Sequence, residues 1–204
     1  MIDTLLANKE KADDSKILDN LNLNVDGFAV LTLHRPANVD DAVVFNRILD
    51  ALEVIQKDMP IIFPIHPRTF RNLKSFDLAG RFKQLSNLRL IAPLGYLDFL
   101  NIISSARVVL TDSGGIQEET TILKVPCLTL RENTERPVTV EMGSNQIVGT
   151  NPTKIIEAYK QVITSGVKKQ ENPPLWDGHT AERITGVLIN LERNKKIIEL
   201  TAKT

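Results

Sequence analysis

The 204 residues include 42% hydrophobic side chains, which is enough for one domain with a full core. The 25 basic and 25 acidic side chains balance, so the charge gives no support for nucleic acid or an anionic membrane as a partner. No stretch approaches the length of a membrane span, and the one cysteine, Cys127, excludes an internal disulfide framework. We therefore expect a cytoplasmic protein in which any anion site is local.

The predicted helices and strands alternate along the chain. Two short amphipathic helices occupy residues 1–23, with a charged break between Lys9 and Asp14. Apolar runs then recur between polar loops, which is typical of parallel strands covered on both faces. We predict strands at Phe28–Leu33, Ile61–Ile65, Leu88–Ala92, Val108–Leu110, Leu128–Leu130 and Gln146–Gly149. We predict further helices that begin near Asp41, Pro67, Tyr96, Ile116, Pro137, Thr153 and Thr180, the last running to about Ala202.

This order of elements predicts an α/β fold with a doubly wound parallel sheet of about six strands, a Rossmann-like domain. We expect the sheet and its helices to occupy residues 24–178. Residues 1–23 form a pair of helices before this domain, and residues 179–204 form a long helix after it. The expected organisation is therefore one domain with a helical segment at each end.

The stretch from Asp112 to Gly115 ends the fourth strand abruptly and opens a helix. Paired glycines let the backbone approach a ligand, and the free N–H groups of a helix N-terminus favour an anion such as phosphate. Glu119, one turn further along, can direct a carboxylate toward the diol of a nucleotide ribose. The local pattern supports a second interpretation equally well. In it, Asp112 or Ser113 only caps the helix, and Glu118 and Glu119 are solvated.

Other polar residues follow the carboxyl ends of further strands, which is where such sheets bind their ligands. His34 and Arg35 follow the first strand, His66 follows the second, and the charged run Arg131–Arg136 follows the fifth. A single histidine there is more often structural, but four polar clusters on one edge favour a site for a nucleoside diphosphate. Two histidines without a third ligand disfavour zinc, and the absence of G-x-G-x-x-G before the first helix disfavours NAD. We expect neither a metal nor a cofactor.

A series of short motifs runs through the chain: His34-Arg35, Pro64-Ile65-His66, Thr111–Glu119, Thr134–Pro137, Val148–Thr150, Asp177-Gly178 and Arg183-Ile184. The most specific feature is the combination of DSGGIQEE with TERP downstream. In order and spacing these motifs resemble the non-hydrolysing UDP-N-acetylglucosamine 2-epimerases. The resemblance extends over nearly the whole chain but covers only half of the proteins in that family.

The resemblance implies a GT-B architecture, in which two Rossmann-like domains face each other across a cleft. This chain resembles the carboxyl-terminal half, and Met1–Leu6 resembles the segment that crosses between the two domains. The implied partner is an amino-terminal domain, either joined to this chain or present as a separate chain. A homodimer is a further assembly that the sequence allows.

The resemblance also assigns roles to the polar residues. The glycine turn holds the diphosphate of a UDP-sugar, Glu119 accepts from the ribose hydroxyls, and His34 and Arg136 contact the charged end of the nucleotide. After His34-Arg35 the chain has Pro36-Ala37-Asn38, where many bacterial members have a second arginine and a glutamate. That departure affects the sugar-side contacts. The residues implied in substrate binding are Arg35, His66, Ser113, Gly114, Gly115, Glu119 and Arg136.

In the family's reaction, C2 of UDP-N-acetylglucosamine is inverted by elimination of UDP to a glycal, followed by re-addition after a proton returns on the other face. This chemistry needs an acid and a base, which the family draws from carboxylates of its amino-terminal domain. The resemblance therefore implies that this chain binds UDP and is inactive alone, with His34 as its candidate catalytic residue. The implied pathway is cell-surface polysaccharide biosynthesis.

Two other functions remain open on the sequence. A GT-B glycosyltransferase donor domain also uses a Ser-Gly-Gly turn and a helix carboxylate for a UDP-sugar, although TERP favours the epimerase. The non-enzymatic alternative is a nucleotide-sugar-binding module that senses UDP-sugars or assembles with a separate amino-terminal partner.

Overall fold

The computed structural model describes residues 1–165 and 171–201, with side chains up to residue 193. Its strands are β1 (Ala29–Thr32), β2 (Ile61–Pro64), β3 (Leu88–Ile91), β4 (Val108–Thr111), β5 (Cys127–Thr129) and β6 (Asn145–Ile147). They form one parallel sheet in the order β3-β2-β1-β4-β5-β6. The predicted α/β fold with a parallel sheet of about six strands is therefore confirmed.

Helices alternate with these strands. They are α1 (Ile2–Asp13), α2 (Ile17–Leu21), α3 (Pro36–Val39), α4 (Ala42–Ile55), α5 (Pro67–Ser75), α6 (Ala79–Gln84), α7 (Tyr96–Ser104), α8 (Gly114–Leu123), α9 (Pro137–Glu141), α10 (Pro152–Ser165) and α11 (Thr180–Thr201). The sequence did not predict α3 or α6, because helices this short show no clear apolar period. The predicted end of the last helix, Ala202, lies outside the described residues.

The predicted break between Lys9 and Asp14 is wrong, because α1 continues through these charged residues to Asp13. Lys9 Nζ lies 3.0 Å from Asp13 Oδ1, one helical turn away, so the charges face solvent on one side of an unbroken helix. The opposite side of α1 buries Leu5, which packs against Leu100 of α7. The break between the first two helices therefore lies after Asp13, between α1 and α2.

Alternate strand residues pack on opposite faces of the sheet. Leu31 and Leu110 belong to the core that includes α4 and α10, whereas Val30 and Val109 belong to the core that includes α7. A sheet covered on both faces explains why its strands are apolar throughout. The predicted strand from Phe28 to Leu33 is longer than β1, because its two end residues are buried without belonging to the strand.

The strand order creates one switch point. From β1 the chain proceeds outward to β2 and β3, and it then returns on the other side of β1 to form β4. The segments that follow β1 and β4 therefore leave the sheet side by side, and this is where open α/β sheets bind ligands. In residues 1–165 and 171–201 no helix is long and apolar enough to span a bilayer. The domain boundaries after residues 23 and 178 remain predictions.

Candidate functional site

Asp112 lies at the switch point, just beyond β4, and its side chain is fully buried. Its Oδ2 accepts hydrogen bonds from the backbone N–H of Arg35 at 2.9 Å and of His34 at 3.0 Å, and from Asn38 Nδ2 at 3.3 Å. Its Oδ1 lies 2.9 Å from His34 Nδ1. Asp112 therefore joins the loop after β1 to the turn after β4. The interpretation of Asp112 as a cap of α8 is wrong.

The glycine turn, Asp112–Gly115, begins α8. Ser113 occupies the N-cap position, yet its side chain makes no capping hydrogen bond with the residues that the structure describes. The N–H groups in the first turn of a helix have no partner within the helix, so they remain available to an anion. A Cβ on Gly115 would lie 3.2 Å from Met1 Cε, and one on Gly114 would lie 3.5 Å from Glu135 Oε2. The side chains of Met1 and Glu135 therefore both lie close to the turn.

A pocket of about 240 Å³ lies beside this turn, and it brings together three of the predicted site residues, His34, His66 and Ser113. The ring centroids of His34 and His66 are 5.9 Å apart. The other side of the pocket is apolar. Its lining there includes Leu33, Pro64, Pro67, Pro93, Leu94, Phe99 and Ile116.

The two histidines have different environments. His66 is exposed, and its Nδ1 accepts a hydrogen bond from the backbone N–H of Arg68 at 3.2 Å, so it caps α5. His34 is 40% exposed at its side chain and contacts the buried carboxylate of Asp112. Within the described ranges no three His, Cys, Asp or Glu side chains are grouped as metal ligands.

Glu119 is largely buried, and this burial, together with the nearby Glu118 carboxylate, raises the pKa of Glu119 to about 7. Burial and the charge of Glu119 also raise the pKa of Tyr96, the first residue of α7. Glu118 Oε1 lies 2.9 Å from Arg136 Nε, an ion pair whose N–H direction falls short of hydrogen-bond geometry. The interpretation of both glutamates as solvated is wrong.

The loop Arg131–Arg136 has four charged side chains, of which Glu135 lies beside Gly114 and Arg136 beside Glu118. Both oxygens of Glu135 accept hydrogen bonds from the Arg131 guanidinium, at 2.8 and 2.9 Å. This pairing lowers the pKa of Glu135 to about 2. Arg35 is placed differently, because its Nε is buried and finds no hydrogen-bond partner among the described residues. A buried guanidinium N–H in that state suits an anionic ligand.

Sequence reasoning missed a buried polar network that joins α8 to this loop. The side chain of Gln117 is fully buried, and its Oε1 accepts hydrogen bonds from Thr134 Oγ1 at 2.5 Å and from Asn145 Nδ2 at 3.1 Å. Thr134 Oγ1 in turn accepts from the backbone N–H of Arg136 at 2.9 Å. The network sets the position of Arg136 relative to the glycine turn. The sequence signal for this network is Gln117 itself, a polar residue of the DSGGIQEE motif at a position of α8 that is buried.

Comparisons with known proteins identify the family of the chain. A family profile for UDP-N-acetylglucosamine 2-epimerase matches residues 1–189. The UDP-N-acetylglucosamine 2-epimerase of Methanocaldococcus jannaschii is 42% identical over 193 residues, which are 92% of this chain and 52% of that protein. The UDP-2,3-diacetamido-2,3-dideoxy-D-glucuronate 2-epimerase of Pseudomonas aeruginosa is 35% identical over 168 residues, which are 81% of this chain and 45% of that protein.

Solved structures give the same result. The Methanocaldococcus jannaschii UDP-GlcNAc 2-epimerase in complex with UDP-GlcNAc and UDP matches with a TM-score of 0.83 and 41% identity, covering 93% of this chain and 52% of that chain. The Escherichia coli ADP-heptose heptosyltransferase II matches with a TM-score of 0.52 and 12% identity over 75% of this chain and 51% of its own, a likeness of fold alone. The chain spans about half the length of the curated relatives it matches. It belongs to the UDP-N-acetylglucosamine 2-epimerase family.

Proposed function

We propose that this chain is the UDP-binding half of a UDP-N-acetylglucosamine 2-epimerase. The observation that carries the proposal is the start of α8 at the switch point, where Ser113 provides no side-chain cap within the described structure. His34 lines the pocket beside this turn, and the Arg35 backbone is held by the same buried carboxylate as that of His34. Helix N–H groups, an imidazole and a guanidinium together suit a diphosphate.

The rest of the nucleotide is accommodated by two further features. The apolar side of the pocket, with Leu94, Phe99 and Ile116, offers a surface for the uracil ring. Glu119 lies one turn into α8, where an ionised carboxylate accepts from the ribose diol. The pocket of about 240 Å³ is smaller than the usual range for ligand sites, roughly 300–1,000 Å³. This size supports a site that is completed by a second wall.

In the proposed reaction, these residues act on the leaving group. Negative charge accumulates on UDP as its bond to C1 breaks, and the helix N-terminus, His34 and Arg136 stabilise that charge. The proton on C2 is removed and returned by carboxylates that we assign to an amino-terminal domain. The P. aeruginosa relative acts on another UDP-sugar, which supports a division of labour in which this half binds the nucleotide.

The last helix supports the proposed partner. All of the described side chains of α11, from residue 180 to 193, are exposed. They include several large apolar residues, namely Ile184, Val187, Leu188, Ile189 and Leu191. A concentration of apolar side chains on one exposed helix is typical of a contact surface. We assign this surface to the amino-terminal domain. A homodimer, a cytoplasmic location and a role in cell-surface polysaccharide biosynthesis remain predictions.

Calorimetry with UDP tests the nucleotide site. Replacing Glu119 by Ala removes up to two charge-assisted hydrogen bonds to the ribose, each about 1.5–3 kcal/mol at best, so UDP affinity should fall on the order of tenfold or more. The matched control is Glu157→Ala, which removes an exposed carboxylate from α10 and should leave the affinity unchanged. Equal affinities of the Glu119→Ala and unaltered chains would reject the ribose assignment.

A glycosyltransferase donor domain is the second candidate, favoured only by the shared fold of the heptosyltransferase. The two candidates differ in their need for an acceptor. A complete two-domain protein incubated with UDP-N-acetylglucosamine and no acceptor should form the manno epimer if it is an epimerase. Under the same conditions, a glycosyltransferase would leave the sugar configuration at C2 unchanged.

A further inference from the structure

The two oxygens of the Asp112 carboxylate have different neighbours. Oδ2 receives the backbone N–H groups of His34 and Arg35 and the side-chain amide of Asn38. Oδ1 lies 2.9 Å from His34 Nδ1 and receives the His34 backbone N–H only at 3.2 Å. One oxygen therefore holds the loop after β1, and the other faces the imidazole ring.

We propose that Asp112 is a positioning residue that fixes the tautomer of His34, so that Nδ1 carries the ring proton and Nε2 meets the ligand. An ionised carboxylate only accepts hydrogen bonds, so a neutral imidazole held against it must present an N–H. Nδ1 is the ring nitrogen that pairs with Asp112, 2.9 Å from Oδ1, although the direction of the contact falls short of hydrogen-bond geometry, as in the pair of Glu118 and Arg136. The lone pair of Nε2 is then left for the pocket that His34 lines.

This tautomer determines where a second proton enters the ring. With Nδ1 protonated, Nε2 is the ring position left for a further proton. An imidazolium formed in this way would lie between the carboxylate of Asp112 and the anionic ligand, with one N–H on the side of each. This consequence rests on the proposed function, because it requires the nucleotide diphosphate to lie next to His34.

The variant Asp112→Asn tests the proposal with little change in shape. Three donors converge where Oδ2 lies in the unaltered chain, so the single amide oxygen of the substituted side chain should occupy that place. The NH₂ group of that side chain then faces His34 Nδ1 and donates to it, which moves the ring proton to Nε2. An aspartate-to-asparagine change beside a histidine inverts the imidazole tautomer of serine proteases in the same way.

The measurement is ¹⁵N NMR of the histidine ring nitrogens at a pH of about 8, where histidine is ordinarily neutral. The chain has three histidines, and His34→Gln identifies the signals of His34. Asn38→Ala is the matched control, because it removes a donor to the same carboxylate without touching the ring. The unaltered chain and this control should have a protonated Nδ1 and an unprotonated Nε2. Asp112→Asn should show the reverse.

A protonated Nε2 in the unaltered chain would overturn the proposal, and this result needs no variant to fold. The same tautomer in Asp112→Asn and in the unaltered chain would also overturn it. Saturating UDP should shift the ¹⁵N signals of His34 in the unaltered chain, because the proposed diphosphate site lies next to the ring. If UDP leaves the ¹⁵N signals of His34 in the unaltered chain unchanged, the proposed site for the diphosphate is wrong. The role of Asp112 is tested separately, by the tautomers measured without UDP.

Discussion

The region of the glycine turn and α8 differs from the terminal helix α11 in how its side chains are packed. At the turn, Asp112 and Gln117 are fully buried and hydrogen-bonded to neighbouring segments. The described side chains of α11 are all exposed, and the helix is tied at its start by Asp3 Oδ2, which accepts the backbone N–H of Ala181 at 2.8 Å. The first region is complete within this chain. The second has an apolar surface that a partner can cover.

This difference supports a division of the proposed activity between this chain and a partner. A site that binds a diphosphate needs fixed donors before the ligand arrives, and the turn is fixed by contacts within this chain. The catalytic positioning of a sugar needs a second wall, and the exposed surface of α11 supports the assignment of that wall to a partner.

The largest expected effect concerns Glu119. Its pKa is raised to about 7 from an ordinary value of 4.5, because burial disfavours the charged carboxylate. The folded chain therefore binds a proton more tightly than the unfolded chain. The contribution of Glu119 to stability is fully present below about pH 4.5 and is lost as pH rises through about 7, a change on the order of 3 kcal/mol.

Urea unfolding at several pH values measures this loss, with Glu119→Gln as the reference that has no titratable group at the position. The unaltered chain should lose stability relative to the Gln variant between about pH 5 and 8. UDP should bind more tightly at the upper end of this range, since its diol donates to the ionised carboxylate, and the Gln variant should lack that trend. Parallel stability curves for the two proteins would show that Glu119 is not buried as described.

A smaller effect is expected from two Gly→Ala substitutions. A Cβ on Gly143 would lie 2.5 Å from Thr121 Oγ1 and 2.7 Å from the carbonyl oxygen of Thr139, so Gly143→Ala should lower the free energy of unfolding by about 1–3 kcal/mol. In α11, a Cβ on Gly186 would have no described atom within 4 Å other than its chain neighbours and the adjacent backbone of its own helix. Gly186→Ala should instead favour the helix by about 0.5–1 kcal/mol.

Urea unfolding and far-UV circular dichroism distinguish these two outcomes. Gly143→Ala should lower the unfolding midpoint, because Thr121 belongs to α8 and the clash strains the helix that carries the turn. Gly186→Ala should increase the helical signal without lowering that midpoint. If both substitutions were harmless, the contrast between a packed turn and an exposed helix would not hold.

The strands were predictable because a sheet covered on both faces leaves continuous apolar runs in the sequence. The strand ends were less predictable, since Phe28 and Leu33 are buried without belonging to β1. The charged residues of α1 also resemble a break in the sequence, yet Lys9 and Asp13 pair across one helical turn rather than interrupting the helix. Apolar patterning reports burial, and it carries little information on where backbone pairing stops.

The candidate site was predictable to the extent that it depends on strand order. His34 and Ser113 meet because their segments leave neighbouring strands, β1 and β4. The direction of the Asp112 side chain was not predictable, because its donors come from a loop about 75 residues away along the chain. The contact of Gln117 with the Thr134 hydroxyl depends in the same way on tertiary packing.

The central claim is that this chain holds the nucleotide-binding half of an epimerase and needs a partner domain for turnover. An NMR time course with UDP-N-acetylglucosamine tests it most directly, using this chain alone and with an amino-terminal epimerase domain added. We expect the chain alone to bind UDP and to form no manno epimer, the added domain to restore conversion, and His34→Ala to slow it. Ready conversion by the chain alone would contradict the account.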